Sequence, residues 1–216
     1  REDDLYQQGD TPLTFSVSDT SGGNYEDLDT SAEASTTVVD DNDTVFAVIS
    51  VDNSQIEEGE STDFTISMVD ENGNAVTVPS GSSVDVALAW SGDAANPGDA
   101  TSLQNSVTIS GGSSSITVSA VDDFIAESAE DLTATITGVT DTDGSFEAVA
   151  PGTIANGYGS DAASATTMIV DNDEPGVTVD ESAVDAAGEV VNEGDQAFFT
   201  VNVTQAAEGS TLTLAL

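Results

Sequence analysis

Along much of this chain apolar and polar residues alternate one for one, as in Phe64-Thr65-Ile66-Ser67-Met68, Val84-Asp85-Val86-Ala87-Leu88, Ile116-Thr117-Val118-Ser119-Ala120-Val121 and Leu132-Thr133-Ala134-Thr135-Ile136. A period of two puts successive side chains on opposite faces, so each run predicts a strand with one buried and one wet face. Helical periodicity is scarce. Turn-forming clusters such as Asp70-Glu71-Asn72-Gly73-Asn74 and Ser110-Gly111-Gly112-Ser113 separate the runs. About seven strands between Thr44 and Asp173 predict an all-β fold, an immunoglobulin-like Greek-key β-sandwich. Trp90, the single tryptophan, is expected in core or strand-edge packing, with carbohydrate stacking as the lesser alternative.

The pattern also repeats. Val39-Asp40-Asp41-Asn42-Asp43 returns as Ile169-Val170-Asp171-Asn172-Asp173, 130 positions on (41 to 171), each time after a strand-like segment that opens with Thr-Thr. That spacing is the size of a whole domain rather than a solenoid turn. The flanks match the same unit. Asp3-Asp4 with Leu13-Thr14 correspond to Asp122-Asp123 with Leu132-Thr133, and Glu193-Gly194 with Phe199-Thr200 correspond to Glu58-Gly59 with Phe64-Thr65. Gly209-Ser210-Thr211-Leu212 likewise corresponds to Gly81-Ser82-Ser83-Val84. The expected organisation is therefore residues 1–43 as the back half of a preceding repeat, 44–173 as a complete sandwich, and 174–216 as the front half of a following one. Pro175, just past the second acidic cluster, is expected to limit the freedom of that joint.

Charge narrows the functions this fold could serve. The chain has 41 Asp and Glu against one basic residue, a formal charge of −40 on 216 residues. Nucleic-acid binding and anionic membrane surfaces both demand a basic footprint, so neither is an expected partner. No apolar stretch approaches the roughly 20 residues of a membrane span, and Arg1-Glu2-Asp3-Asp4 has no signal-peptide character, so any secretion signal is expected outside this segment. Without Cys or His there is no basis for disulfides, zinc, copper, haem or thiol chemistry. Carboxylates are the abundant ligands, and hard oxygen donors select calcium or magnesium.

Within residues 44–173 the acids gather in four places: Glu57-Glu58-Gly59, Gly98-Asp99, the run Asp122-Asp123-Phe124-Ile125-Ala126-Glu127-Ser128-Ala129-Glu130, and Asp171-Asn172-Asp173. Two carboxylates about 4 Å apart repel by about 4 kcal/mol at an effective dielectric near 20, so a converged cluster calls for cations. These four motifs, in this order, resemble the Calx-beta domain family. The resemblance implies a cluster of calcium ions at one end of the sandwich, held by Glu58, Asp99, Asp122, Asp123, the carbonyl of Ile125, Glu127, Glu130, Asp171, Asn172 and Asp173. Asn172 stands where an Asp is frequent, which lowers the charge but keeps an oxygen. In the preceding repeat Gln8 and Thr11 replace Glu127 and Glu130, so a weaker cluster is expected there.

Tandem acidic repeats of this kind also resemble the extender region of RTX-type bacterial adhesins. That resemblance implies a calcium-stiffened spacer of a secreted or cell-surface adhesin, partnered by the neighbouring repeats of its own chain. Lateral self-association is left open, and the composition suggests a marine or halophilic bacterial source. A carbohydrate- or protein-binding recognition module is the alternative, although only 5% of the residues are aromatic. Catalysis is not expected, because paired acids such as Glu127 and Glu130 have no His or Lys beside them to orient a substrate. Asp70-Glu71-Asn72-Gly73-Asn74 is read as a hairpin turn rather than an EF-hand loop, its glycine being misplaced.

Overall fold

A computed structural model describes residues 3–26, 28–96, 98–125, 127–152, 162–174, 176–182, 193–194, 198–204, 211 and 213. Between Thr44 and Asp173 two five-stranded sheets face each other. One is ordered Gln55–Glu57, Ser164–Val170, Glu130–Asp141, Val84–Ser91 and Ser106–Ile109, and the other Ala148–Pro151, Thr44–Val51, Ser61–Val69, Ser113–Ala120 and Ala100–Thr101. The strands are β3 (Thr44–Val51), β4 (Gln55–Glu57), β5 (Ser61–Val69), β6 (Val84–Ser91), β7 (Ala100–Thr101), β8 (Ser106–Ile109), β9 (Ser113–Ala120), β10 (Glu130–Asp141), β11 (Ala148–Pro151) and β12 (Ser164–Val170). Pairing is antiparallel except at β11 with β3 and β4 with β12, which are parallel. The fold is the expected all-β, immunoglobulin-like sandwich, with ten strands among the described residues rather than about seven. The additional strands are two to four residues long, too short to show an alternation.

The period-two runs bury the faces they should. Phe64, Ile66 and Met68 of β5 and Ile116 and Val118 of β9 meet Val84, Val86 and Leu88 of β6 and Leu132, Ala134 and Ile136 of β10 in one core. Burying a side chain of this size is worth about 1.5–3 kcal/mol each, so these alternations carry most of the unit's cohesion. Trp90 sets its ring edge-on to Phe64 at 5.1 Å and donates its indole N–H to the Gln104 carbonyl at 2.9 Å. Its polar edge is thereby satisfied within the fold. The Asp70–Asn74 segment is a side-chain-capped turn, in which Asp70 accepts the amides of Asn72 and Asn74 at 2.8 Å each and Gly73 takes φ 83°.

The flanking segments each form a hairpin: β1 (Thr11–Ser16) with β2 (Glu33–Val38), and β13 (Val177–Ser182) with β14 (Phe198–Val203). The β1–β2 register, Thr11 opposite Val38 and Leu13 opposite Thr36, repeats that of β10–β12, Glu130 opposite Ile169 and Leu132 opposite Thr167. This register equates Asp40 with Asp171. The Asp-Asn-Asp match of the sequence is thus one position out of step with the strands that precede it, and the first cluster carries one extra residue. Leu13 and Phe15 are exposed, whereas their counterparts Leu132 and Ala134 are buried. Pro175 and Gly209, Ser210 and Leu212 lie outside the described residues.

Strand direction decides where the loops go. Glu57 pairs with Val170, Glu130 with Ile169, Ser61 with Ser119 and Ala100 with Ala120. The ends of β4, β9 and β12 and the starts of β5, β7 and β10 therefore share one end of the sandwich. Gly92, which opens the loop before β7, has φ 102°, and a Cβ there would sit 2.0 Å from the Asp131 carbonyl oxygen. Gly92→Ala is expected to destabilise the fold by about 2 kcal/mol or more, from strain and backbone displacement together. Gly111→Ala, where a Cβ meets nothing within 4 Å, should be nearly neutral in the same thermal melts.

Candidate metal centre

Four segments deliver carboxylates to the end just described. Glu58 sits in the turn after β4, Asp99 directly before β7, Asp123 and Glu127 in the β9–β10 loop, Glu130 on the first residue of β10, and Asp171 and Asp173 after β12. They resolve into two groups of three. Oxygens of Glu58, Asp123 and Asp173 lie within 4.8 Å of one another, as do those of Asp99, Glu127 and Glu130. One pocket joins the groups, lined by Glu58, Asp99, Asp123, Glu127, Glu130 and Asp171.

The rest of the expected ligand set stands around these two groups. Asp171 accepts the Glu127 amide on Oδ2 at 3.0 Å and the Asp173 amide on Oδ1 at 2.8 Å. These bonds, that from Asp173 first, hold its carboxyl below the usual range, so it stays ionised between the two groups. Asn172 donates Nδ2 to the Glu58 carbonyl at 3.0 Å, which ties the end of β12 to the Glu58 turn and leaves Oδ1 as its ligand atom. Asp122 is exposed against Gly59 and belongs to neither group. Ile125 donates its amide to Asp123 Oδ1 at 2.7 Å, closing a tight turn. Sequence reasoning missed Ser128 in the pocket lining, for which a hydroxyl between two acids gave no signal.

Glu58 is the most telling residue. It is 8% exposed, and its Oε2 is buried without a hydrogen-bond partner. Burial first, then the neighbouring charges of Asp171, Asp123 and Asp173, raise its pKa from 4.5 to about 7, against the opposing hydrogen bond from the Asp123 amide. Burial is also the leading cause that raises Asp173, Glu127 and Glu130, with neighbouring carboxylates adding to it. Among the described residues no basic side chain offsets this charge, since Arg1, the only one in the chain, lies outside them. A buried, unsatisfied carboxylate oxygen among acids is a fit for a hard divalent cation, for which all-oxygen donor sets are suited.

A third group, Asp3, Asp41 and Asp43, lies at the junction between the first hairpin and the complete sandwich. Glu147 of the sandwich accepts the Asp43 amide on Oε2 at 2.5 Å. Gln8 donates its side-chain amide to Asp4 and its main-chain amide to Asp40 at 2.7 Å. The neutral side chain at the Glu127 position thus satisfies an acid instead of adding one.

No family model and no curated protein matches the chain. Among solved structures it is similar to the apo-form Calx CBD1 domain, at 12% identity and a TM-score of 0.39, covering 62% of this chain and 100% of that one. It is also similar to domains 4 and 5 of the S-layer protein SbsC, at 16% identity and a TM-score of 0.31, covering 64% of this chain and 58% of that one. A cohesin module of a Clostridium perfringens family 33 glycoside hydrolase matches at 11% identity and a TM-score of 0.30, covering 60% and 98%. The reading of the site rests on its own residues.

The Glu58 carboxyl holds its proton in the folded chain at pH values where the unfolded chain has lost it. Its contribution favours the ion-free fold below about pH 4.5, and that advantage is lost as pH rises through 7. In chelator the melting temperature is expected to fall between pH 5 and pH 8, and Glu58→Gln should flatten part of that slope. A variant with the parent's slope would show that Glu58 does not carry the effect.

Proposed function

We propose that residues 44–173 form a calcium-binding spacer unit, set in tandem between like units of a secreted or cell-surface adhesin-like protein. The observation that carries this reading is the buried Glu58 oxygen without a partner, facing Asp123 and Asp173. Glu58, Asp123 and Asp173 would hold one ion, and Asp99, Glu127 and Glu130 a second. Asp122, Asp171, the Ile125 carbonyl, Asn172 Oδ1 and water are the candidates to complete the six to eight oxygens calcium takes. When bound, calcium supplies the positive charge that the side chains lack. The chain's own part is to fix the end of β12 against the Glu58 turn and the β9–β10 loop, through Asn172 and Asp171. Because Asp173 is followed by Glu174 and then β13, order imposed there passes to the next segment.

The division into a back half, a complete unit and a front half belongs to this proposal, and the exposed Leu13 and Phe15 face of the first hairpin supports it. The extracellular, non-catalytic assignment rests on the acid-only chemistry and the tandem form. Trp90, occupied by Phe64 and Gln104, does not favour the alternative of a carbohydrate module.

Calorimetry should find at least two calcium ions. Glu58→Gln and the pair Asp99→Ala with Glu130→Ala should each remove one, and the absence of binding at millimolar calcium would end the proposal. Each site held at a hundredfold over its Kd adds about 2.7 kcal/mol, and at about 2–4 °C per kcal/mol for a chain of this size the melting temperature should rise about 5–10 °C per site. Glu58→Gln is distinctive because it should lower the calcium-induced rise while leaving the chelated protein at least as stable as the parent at pH 8. Small-angle scattering should show a narrower range of shapes in calcium than in chelator. Asp171→Ala with Asp173→Ala should mimic the chelator more strongly than Asp41→Ala with Asp43→Ala.

A further inference from the structure

The junction ahead of the complete unit is built by the loop that precedes β1. Tyr6 forms an antiparallel bridge with Phe146, with the Gln7 amide donating to the Ser145 carbonyl at 3.1 Å and the Glu147 amide to the Leu5 carbonyl at 3.3 Å. The Tyr6 ring stacks on that of Phe146 at 5.5 Å, and Leu5 packs against the core of the unit. The receiving loop is shaped by Asp141, which accepts the amides of Asp143 and Gly144 on Oδ1 and that of Phe146 on Oδ2. Phe146 is only 3% exposed. The contact is thus a two-residue apolar plug and a short strand pairing, both made between one unit's acidic loop and the far end of the next.

The same loop recurs at the other end of the complete unit. Asp123 caps the Ile125 amide at 2.7 Å as Asp4 caps that of Tyr6 at 2.9 Å, and Asp171 accepts the Glu127 amide as Asp40 accepts that of Gln8. The hairpins that follow share one register. Phe124 and Ile125 therefore stand at the positions of Leu5 and Tyr6. They are 45% and 51% exposed, two large apolar side chains at the rim of the acidic end. An exposed apolar pair beside so many charges calls for a partner.

We propose that Phe124 and Ile125 are the docking surface for the next unit of the tandem, and that they seat against that unit's counterpart of the Asp141–Glu147 loop. Ile125 takes the place of Tyr6 opposite the counterpart of Phe146, with main-chain hydrogen bonds on either side. This rests on the tandem part of the proposed function and not on metal binding, because the joint is made by apolar contact and backbone pairing. The two sets of interactions use different atoms of one turn: the Phe124 and Ile125 side chains form the plug, while the Asp123 carboxylate faces Glu58 and the Ile125 carbonyl is left to the ion.

The test is a chain with its complete unit duplicated, residues 1–173 followed by 44–216, so that the new joint repeats the Asp43–Thr44 sequence. Since the chain has no cysteine, Ile125→Cys in the first copy with Phe146→Cys in the second introduces two thiols alone. Cα atoms across an antiparallel bridge lie within disulfide range. Mild oxidation should close this pair within about threefold of the rate of Tyr6→Cys with Phe146→Cys in the original chain, in calcium or in chelator. Failure to close in both conditions, with the control closing, would overturn the proposal. Because Phe146 is buried, a second comparison avoids it: Ile125→Asp in the first copy should broaden the scattering-derived range of shapes, and the same change in the second copy should not. Equal effects at both positions would also overturn it. Calcium binding, measured by calorimetry on the duplicated chain without these substitutions, succeeds or fails independently of either result.

Discussion

The carboxylates at one end of the sandwich repel each other, and nothing basic among the described residues offsets them. Around Glu58 that repulsion is joined by burial, the more demanding condition: an ionised oxygen with neither water nor a donor is among the least favourable things a fold can contain, so without a cation the carboxyl keeps its proton up to about pH 7. The surrounding structure keeps it in place by main force of geometry. The strands that carry the acids have large apolar faces committed to the core, and the antiparallel registers allow their ends to emerge nowhere else. Core burial thus sets the position of the charges, and the charges create the demand for a cation.

The two three-carboxylate groups differ in how they are held. Glu58, Asp123 and Asp173 are braced by main-chain bonds, Asn172 reaching back to the Glu58 carbonyl and the Asp123 amide reaching the Glu58 carboxylate. Asp99, Glu127 and Glu130 come from a loop edge, a loop and a strand start, with longer side chains in two of the three. Asp171 sits between them and satisfies amides from both sides, which makes it the element through which an order imposed on one group is felt by the other.

Much of this was legible in the sequence because its governing patterns are local. Alternation over five or six residues marked β5, β6, β9 and β10, and the four acidic segments were visible as runs. The short strands β4, β7, β8 and β11 were not, since two to four residues cannot display a period, and their pairing is set by neighbours far along the chain. Composition also could not separate acids that converge in a cluster from acids that hold the backbone. Asp171 and Asn172 look like ligands in a list of residue types, and only their hydrogen bonds show that they brace the backbone as well. The match of Asp41-Asn42-Asp43 with Asp171-Asn172-Asp173 keeps a spacing of 130 (41 to 171), while the register of the strands before the clusters equates Asp40 with Asp171, a one-residue difference that letters alone do not reveal.

The parallel pairing of β4 with β12 has a consequence for a chain under tension. The unit is entered through β3 and β4 and left through β12, and Gln55, Ile56 and Glu57 run alongside Met168, Ile169 and Val170 in the same direction. A pull on the two termini drags these segments past one another along their length, so the hydrogen bonds between them are loaded together instead of being peeled apart in turn. Resistance to such a load is governed by the rate of unfolding rather than by equilibrium stability. Asn172 adds a side-chain tie at the end of this pair, making the seam between the entering and leaving strands the place where a stretched unit would first be required to yield.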